Sequence, residues 1–389
     1  MTRGPLRLAV FRRLLGVYTA DQIIDWIASI ALMILVYDRT SSALATAALL
    51  LCKTFAPALL VPLLAARTDR ASVRTVVAAS SALAAVALAI LAAGPPHALW
   101  PATLLLGTAA LLGRSTIRAT VPLTLAPDDL KLGNGALNVA SAALTATGPL
   151  AGAAAVVTLG AESTLLLACA IAAAAAVITA ATFPDIRADH DPDQPGETIT
   201  EPTRGMWVLL AGAAALILLF SMDEPALVAY TRESLDAGDV AYGILVSAWG
   251  VGLLIGSAAY FRLRHVPSVA LVTRSAVVIA AGYLTVGLAP TTAIAAVACV
   301  VCGAGNGTMQ VALITAVQEA VPAQLQVRAA AWIEAIGAAA AGLGYLAGGA
   351  LAAGISPRAP FIVGGLLALA VTTTMLVALV AGARPRTAR

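Results

Sequence analysis

The sequence predicts an all-α integral membrane protein with twelve transmembrane helices arranged as two six-helix bundles. Three observations predict this fold. Apolar residues make up 60% of the 389-residue chain and charged residues only 11%, whereas a soluble domain carries roughly a quarter charged residues. The apolar runs are long enough to cross a bilayer. The second half of the sequence also repeats features of the first half at a constant offset.

The number of helices follows from the length of the apolar runs. A hydrocarbon core of about 30 Å needs about 20 apolar residues for each helix. Breaks rich in glycine and proline separate the runs where turns are expected. The predicted helices cover residues 13–37, 42–66, 73–94, 98–121, 133–157, 162–183, 206–230, 241–262, 268–289, 291–316, 329–353 and 359–381.

One long polar stretch divides the chain nearly in half. Residues 184–205 are rich in proline, aspartate and glutamate, and such a composition cannot bury enough apolar surface to fold. We therefore expect a first six-helix bundle over residues 1–183, a linker over 184–205 and a second six-helix bundle over 206–389.

An internal repeat relates the two halves. GPLAGAA at 148–154 recurs as GYLAGGA at 344–350, an offset of 196 residues that also aligns Arg114 with Gln310. Since each half has six helices, both halves begin on the same side of the membrane and the repeat is parallel. Parallel repeats place a substrate site near the bilayer midplane and move by rocking. The repeat therefore predicts a carrier.

The basic residues predict the orientation. With the N-terminus inside, 17 of the 23 lysines and arginines fall on the cytoplasmic side, three fall outside and three lie within helices. Because cytoplasmic loops carry the excess of basic residues, we expect a multi-pass protein of the cell membrane with both termini and the linker in the cytoplasm.

Helix 1 carries several polar residues within the segment GVYTADQIIDWIAS. Asp21 and Asp25 are four residues apart and share one face. By residue count, Asp25 lies near the midplane and Lys53 lies at a comparable depth on helix 2. A charge at the bilayer centre costs about 2.5–3.5 kcal/mol, so it needs a partner. We expect Lys53 to pair with one of the two carboxylates, and Tyr18 and Gln22 are candidates for lining the substrate cavity.

Two interpretations of this pair stay open on sequence alone. Two carboxylates with one ammonium leave one carboxylate able to take up a proton, which makes Asp21 and Asp25 candidates for proton coupling. Alternatively, Lys53 forms a structural ion pair that holds helices 1 and 2 together.

Helix 7 contains a second acidic pair, Asp223 and Glu224, directly before Pro225. A proline removes a helical hydrogen bond, which predicts a discontinuous helix lining a cavity. We place the pair in the outer third of the helix. It is either a site for a proton or a substrate cation, or it reaches the extracytoplasmic surface.

Helices 4 and 10 supply the remaining polar candidates. Arg114 on helix 4 is predicted to face the cavity, where it would control protonation of a carboxylate or bind an anion. Asn306 and Gln310 on helix 10 are four residues apart, and we expect a neutral polar patch there that contacts substrate.

Together, twelve helices, a central linker and a charged loop after helix 2 resemble the major facilitator superfamily of secondary transporters. The family's Gly-x-x-x-Asp-Arg-x-Gly-Arg-like loop corresponds here to Ala65-x-x-x-Asp69-Arg70-x-Ser72-x-Arg74, with both glycines replaced. The charges of Asp69, Arg70 and Arg74 are predicted to form a cytoplasmic gate, which bridges to a partner helix in one state and releases it in the other.

Helix 5 resembles the glycine- and proline-bearing signature of the superfamily's exporters. Gly135, Gly148, Pro149 and Gly152 match that signature, whereas Leu144 stands where a glycine is expected. A helix with these residues permits close packing and a kink. Residues 303–331 resemble the macrolide-efflux and enterobactin-exporter-like branch.

These features predict proton-coupled efflux, by antiport, of an amphipathic small molecule or drug. An importer that uses the same carboxylates for symport is the alternative, and a non-transporting sensor or enzyme is a distant one. The histidines lie far apart in the sequence, and no nucleophile–base set or phosphate-binding loop is present. We therefore expect no enzymatic activity, cofactor, metal or nucleic-acid partner. The expected partners are substrate, protons and lipid, and we expect a monomer.

Overall fold

The computed structural model describes residues 8–68, 71–125, 130–186, 204–263, 265–320 and 326–383. Over these ranges the chain forms twelve long helices and no strand, which confirms the predicted fold class. The predicted helix boundaries agree with the observed ones to within a few residues, as expected when the apolar length alone defines a membrane span.

Six helices form the first half of the chain. Helix α2 contains one irregular turn, since it consists of Ala43–Leu50, a π-helical turn Leu51–Phe55 and Ala56–Thr68. The other five are α1 (Ala9–Thr40), α3 (Val73–Ala93), α4 (Leu99–Thr124), α5 (Leu130–Leu159) and α6 (Ala161–Thr182).

Six helices likewise form the second half. Helix α7 is interrupted, since it consists of Arg204–Phe220, a 3₁₀ turn Glu224–Ala226, the short segment Leu227–Ala229 and a π-helical turn Tyr230–Ser234. The other five are α8 (Asp239–Leu263), α9 (Ser268–Leu288), α10 (Thr292–Ala320), α11 (Gln326–Gly354) and α12 (Ala359–Ala383).

Length and composition make almost all of these helices suitable for a bilayer. Within the described residues, eleven of the twelve are long and apolar enough to cross a membrane. The twelfth is α4, which carries Arg114 and Arg118. The chain is therefore a multi-pass membrane protein.

Two compact units divide the described chain. The first contains α1, α2 from Leu49 onward, and α3 to α6. The second contains Ser41–Ala48 and α7 to α12. The sequence placed residues 41–48 in the first bundle, but in the structure Ala43 packs with Ala226 and Ala352 of the second unit. The remaining domain boundaries stay a prediction.

Each unit has the same pattern of helix packing. In the first, α1 packs against α5 and α6, α2 against α4, and α3 against α4 and α6. In the second, α7 packs against α11 and α12, α8 against α10, and α9 against α10 and α12. The same partners thus recur after six helices, as the sequence repeat predicted.

An apolar cluster fills one end of the first unit. Phe11, Leu14 and Tyr18 of α1 contact Ile117 and Val121 of α4, and all five are at most 1% exposed. The cluster fixes α1 beside α4 immediately before the polar residues of α1 begin. The polar side chains of both helices therefore face each other.

Candidate functional site

Four charged side chains meet in the first unit, supplied by three helices. The Nζ atom of Lys53 on α2 lies 2.7 Å from Oδ1 of Asp25 on α1, and these side chains are 9% and 18% exposed. Lys53 also donates a hydrogen bond to the hydroxyl of Ser29, which in turn donates to the Asp25 carbonyl. Of the two carboxylates that the sequence offered, Lys53 therefore contacts Asp25.

The π-helical turn of α2 sets the position of Lys53. The backbone amide of Ala56 donates to the carbonyl of Leu51, five residues earlier, and such turns are frequent at functional sites. Gly107 of α4 lies against the backbone of this turn, since a Cβ atom there would overlap the Lys53 carbonyl oxygen. The close approach of α4 therefore depends on glycine at this position.

Arg114 of α4 joins the two carboxylates of α1. Its Nη1 atom lies 3.1 Å from Oδ2 of Asp25 and donates to the side-chain carbonyl of Gln22 at 3.0 Å. Its Nε atom lies 3.5 Å from Oδ2 of Asp21. Gln22 also donates to Ser141 of α5 at 2.8 Å. The network thus connects α1, α2, α4 and α5.

The two carboxylates of the network are held differently. Asp25 contacts both Lys53 and Arg114. Asp21 contacts only Arg114 among the described ion pairs, and its buried Oδ2 atom has no hydrogen-bond partner. The sequence hypothesis counted one ammonium for two carboxylates. The structure adds Arg114, so the charges balance, but Asp21 has the weaker contacts.

Tyr18 lies next to this network rather than in it. Arg118, one helical turn beyond Arg114 on α4, donates to the Tyr18 hydroxyl at 3.0 Å, and its guanidinium lies 5.7 Å from the Tyr18 ring centroid. Since Tyr18 is 1% exposed, its ring is buried, and its hydroxyl group orients Arg118.

The glycines of the α5 motif pack against α1 beside the charged network. A Cβ atom at Gly148 would lie 2.8 Å from the Trp26 side chain, and one at Gly152 would lie 3.1 Å from the Ile30 side chain. Pro149 lies inside the helix. Gly135 belongs to the first part of the same helix. The motif therefore brings α5 close to the charged part of α1.

In the second unit, α7 is interrupted beside its acidic pair, as Pro225 predicted. Asp223 is half-buried and Glu224 is exposed. The apolar span that contains them includes residues 210–234. The position of the pair in the outer third of the helix stays a prediction.

The predicted polar patch on α10 is present as a pair of amides. The side-chain nitrogen of Gln310 donates to the side-chain oxygen of Asn306 at 2.7 Å. Asn306 is half-buried and Gln310 is exposed. The pair retains hydrogen-bonding groups for a ligand, and its contact with substrate stays a prediction.

The predicted cytoplasmic gate is described only in part. Asp69 and Arg70 lie outside the described residues, and Arg74 is a half-buried residue in the first turn of α3. Its role as a gate stays a prediction. Among the described residues, no group of three histidine, cysteine, aspartate or glutamate side chains lies close enough to hold a metal ion.

Sequence reasoning did not identify two tyrosines of the second unit. The Tyr283 hydroxyl on α9 donates to the Phe220 carbonyl at the interruption of α7 and faces Asp223. Tyr242 on α8 is 4% exposed and faces the same acidic pair. The available sequence signal was a tyrosine inside an apolar helix. A buried tyrosine hydroxyl needs a hydrogen-bond partner, but the sequence does not specify which group that partner is.

Comparison with known proteins agrees with this architecture. The model of the Major Facilitator Superfamily matches residues 14–344. A search of curated protein sequences gives no significant match.

Solved transporter structures show the same fold at low sequence identity. A POT family transporter in complex with a thioalcohol-conjugated peptide is 12% identical, covers 96% of both chains and has a TM-score of 0.73. A bacterial homologue of the iron transporter ferroportin, in an inward-facing state, is 14% identical over 98% of this chain and 100% of its own, with a TM-score of 0.73.

The nucleoside transporter NupG is 13% identical over 95% of this chain and 99% of its own, with a TM-score of 0.71. Because the family model covers most of the sequence and the fold agrees over nearly the whole chain, the protein belongs to the Major Facilitator Superfamily and is a membrane transporter, not an enzyme.

Proposed function

We propose that the protein is a proton-coupled exporter that moves an amphipathic small molecule or drug by antiport and alternating access. Its partners are the substrate, protons and the lipid bilayer, and it works as a monomer in the cell membrane with both termini in the cytoplasm. The observation that carries the proposal is the network of Asp21, Asp25, Lys53 and Arg114.

The unequal contacts of the two carboxylates assign them different roles. Asp25 is close to two cations and accepts hydrogen bonds from both, so its charge is compensated inside the membrane. Asp21 has one cation at 3.5 Å and a buried oxygen without a hydrogen bond. The negative charge of Asp21 is therefore the less compensated of the two inside the membrane. We assign the exchangeable proton of this network to Asp21 and the fixed negative charge to Asp25.

Proton binding at Asp21 would change the network around Arg114. Once Asp21 is neutral, Arg114 has a single carboxylate partner, Asp25, and the four groups carry one net positive charge. Substrate and proton then compete for the network, because each changes the same charge balance. Proton influx down its gradient would drive efflux, since a ligand shifts the equilibrium only by its different affinity for the two states.

Two features favour export as the direction. The exporter-like residues Gly148 and Gly152 of α5 pack against α1 beside the network, and close packing of this kind opposes leakage of the exported molecule. The resemblance of residues 303–331 to the macrolide-efflux and enterobactin-exporter-like branch points the same way. Resistance to the exported drugs would be the cellular consequence.

The test begins with expression in an efflux-deficient host exposed to ethidium, erythromycin and a catecholate siderophore. The compound with the largest gain in resistance is then used in proteoliposomes, where proton flux is measured. We expect Asp21→Asn to reduce substrate-dependent proton flux at least tenfold, with exchange of labelled substrate retained. Coupled proton flux that survives in Asp21→Asn would contradict the assignment.

Import by proton symport is the second candidate. The α5 signature is incomplete, because Leu144 occupies a position where the exporters have glycine. Transport into everted vesicles separates the two directions. Accumulation in everted vesicles driven by an outwardly directed proton gradient, with an acidic lumen, supports export by antiport, whereas accumulation only in right-side-out vesicles with an inwardly directed proton gradient supports import.

A further inference from the structure

The interruption of α7 creates a polar site in the second unit. Pro225 has no amide hydrogen and cannot complete the helical ladder, and regular helix ends at Phe220. The carbonyl of Phe220 accepts a hydrogen bond from the Tyr283 hydroxyl. The carbonyl of Pro225 accepts one from the hydroxyl of Thr46 at 2.6 Å. Side chains from α9 and α2 therefore satisfy backbone groups that the interruption releases.

Asp223 lies between these two carbonyls along the chain, and no cation is among its neighbours in the part of the chain that the structure describes. The charged or titratable groups that face it, within the described residues, come from four helices. They are Glu224 on α7, Tyr242 on α8, Tyr283 on α9, and Cys299 and Cys302 on α10. The same surroundings contain two aromatic rings, Phe220 and Tyr283, whose centroids lie 5.2 Å apart.

The two units therefore treat their intramembrane carboxylates differently. In the first unit, Asp25 is matched by Lys53 and Arg114. In the second unit, Asp223 also lies within an apolar span, but its described neighbours are hydroxyl, thiol and carboxyl groups. An ionised carboxylate costs about 2.5–3.5 kcal/mol at the bilayer centre, and no described cation offsets such a cost here. Binding a proton removes that charge.

We propose that Asp223 is a second proton-binding site of the transporter, built by the interruption of α7 and positioned by Tyr283. A carboxylate oxygen of Asp223 takes a proton from water and becomes a neutral carboxylic acid, and no other bond changes. Tyr283 keeps its own proton, which it donates to the Phe220 carbonyl, and its hydroxyl oxygen accepts a hydrogen bond from the protonated Asp223. The use of this proton in transport rests on the proposed proton-coupled function, but the binding of the proton does not.

Infrared difference spectroscopy of the purified full-length protein in liposomes, without substrate, tests proton binding directly. Water-exposed carboxyl groups titrate near pH 4 and are ionised at pH 7, so a carbonyl stretching band of protonated carboxyl groups at pH 7 reports on enclosed ones. We expect such a band in the wild type and loss of one component in Asp223→Asn, which preserves the shape of the side chain.

Two further variants distinguish a specific site from a general structural effect. Tyr283→Phe removes the hydroxyl oxygen that accepts from protonated Asp223, so the Asp223 component should shift in frequency and remain present. Glu224→Gln, the neighbouring exposed acid, should leave the component unchanged. An Asp223→Asn spectrum identical to that of the wild type would overturn the proposal, as would loss of the same component in Glu224→Gln.

The result is separable from the proposed function. Loss of substrate-coupled proton flux in Asp21→Asn concerns the first unit and leaves the Asp223 band intact. Conversely, absence of the Asp223 band refutes the second proton site and leaves the role of Asp21 in coupling unaffected.

Discussion

Replacing Lys53 by methionine tests whether the positive and negative charges of the network in the first unit compensate each other. Methionine keeps most of the length of the side chain and removes the ammonium group. That group lies 2.7 Å from Asp25, and the Lys53 and Asp25 side chains are 9% and 18% exposed. Removal of one partner of a buried pair costs about 3–5 kcal/mol. Because Arg114 remains 3.1 Å from Asp25, we expect the lower end, about 3 kcal/mol.

A second substitution determines how much of this loss is electrostatic. In Lys53→Met with Asp25→Asn, one positive and one negative charge are removed together, which leaves Asp21 with Arg114. The double variant should be more stable than Lys53→Met alone. The coupling energy should fall within the 0.5–3 kcal/mol typical of contacting residues.

The assay is equilibrium unfolding of the purified protein in mixed micelles, which measures the free energy of unfolding. Arg39→Met is the matched control, since Arg39 forms a 3.1 Å ion pair with Glu162 whose side chains are 40% and 62% exposed. An exposed pair contributes about 0–1 kcal/mol. The reasoning is refuted if Lys53→Met loses no more stability than Arg39→Met, or if the double variant shows only additive losses.

Three further substitutions test backbone packing by the same unfolding assay. Gly107→Ala should destabilise the protein by about 1–3 kcal/mol and reduce transport, because its methyl group would overlap the carbonyl of the π-helical turn. The control Gly16→Ala has nothing within 4 Å of the added Cβ and should change neither stability nor transport. Gly348→Ala, which would overlap a carbonyl of α7, should lose a similar amount, whereas Gly354→Ala, in open space, should lose little. Arg358→Gln should cost about 2 kcal/mol, because Arg358 donates to three backbone carbonyls at 2.9 Å. Equal effects of a glycine variant and its control, or a neutral Arg358→Gln, would contradict these expectations.

Much of the fold was predictable because a membrane-spanning helix can be recognised from the length and composition of one chain segment. A run of about 20 apolar residues is sufficient to identify a helix, and eleven spans meet this criterion in the described chain. The repeat of GPLAGAA at 148–154 and GYLAGGA at 344–350 was equally visible in the sequence. It corresponds to α5 on α1 and α11 on α7, which pack in the same way in the two units.

The residues of the candidate site could be predicted from the sequence, but most of the contacts between them could not. Helical spacing placed Asp21 and Asp25 on one face of α1, and the energetic requirement for a partner predicted an acid for Lys53. Spacing along one helix, however, does not specify what the neighbouring helix presents. The sequence predicted Arg114 as a charge partner that controls a carboxylate, but it did not specify that Arg114 contacts both acids.

The interruption of α7 shows the same limit. Pro225 predicts that the helical ladder is broken, because its ring nitrogen cannot donate. Nothing in the local sequence specifies that Tyr283, 63 residues away from Phe220 along the chain, satisfies the released carbonyl and reaches Asp223. That partner depends on how α9 packs against its neighbours.

The sequence by itself determined the membrane class, the twelve helices, the parallel repeat and the need of each intramembrane charge for a partner. All of these depend on apolar length, composition and spacing along a single chain segment. Only the tertiary structure decided that Asp25 is compensated by two cations, that Asp21 keeps an oxygen without a hydrogen bond, and that Asp223 lies among tyrosines and cysteines. The physical reason is that a charge or an open carbonyl in the membrane must be satisfied, but helix packing selects the group that does so.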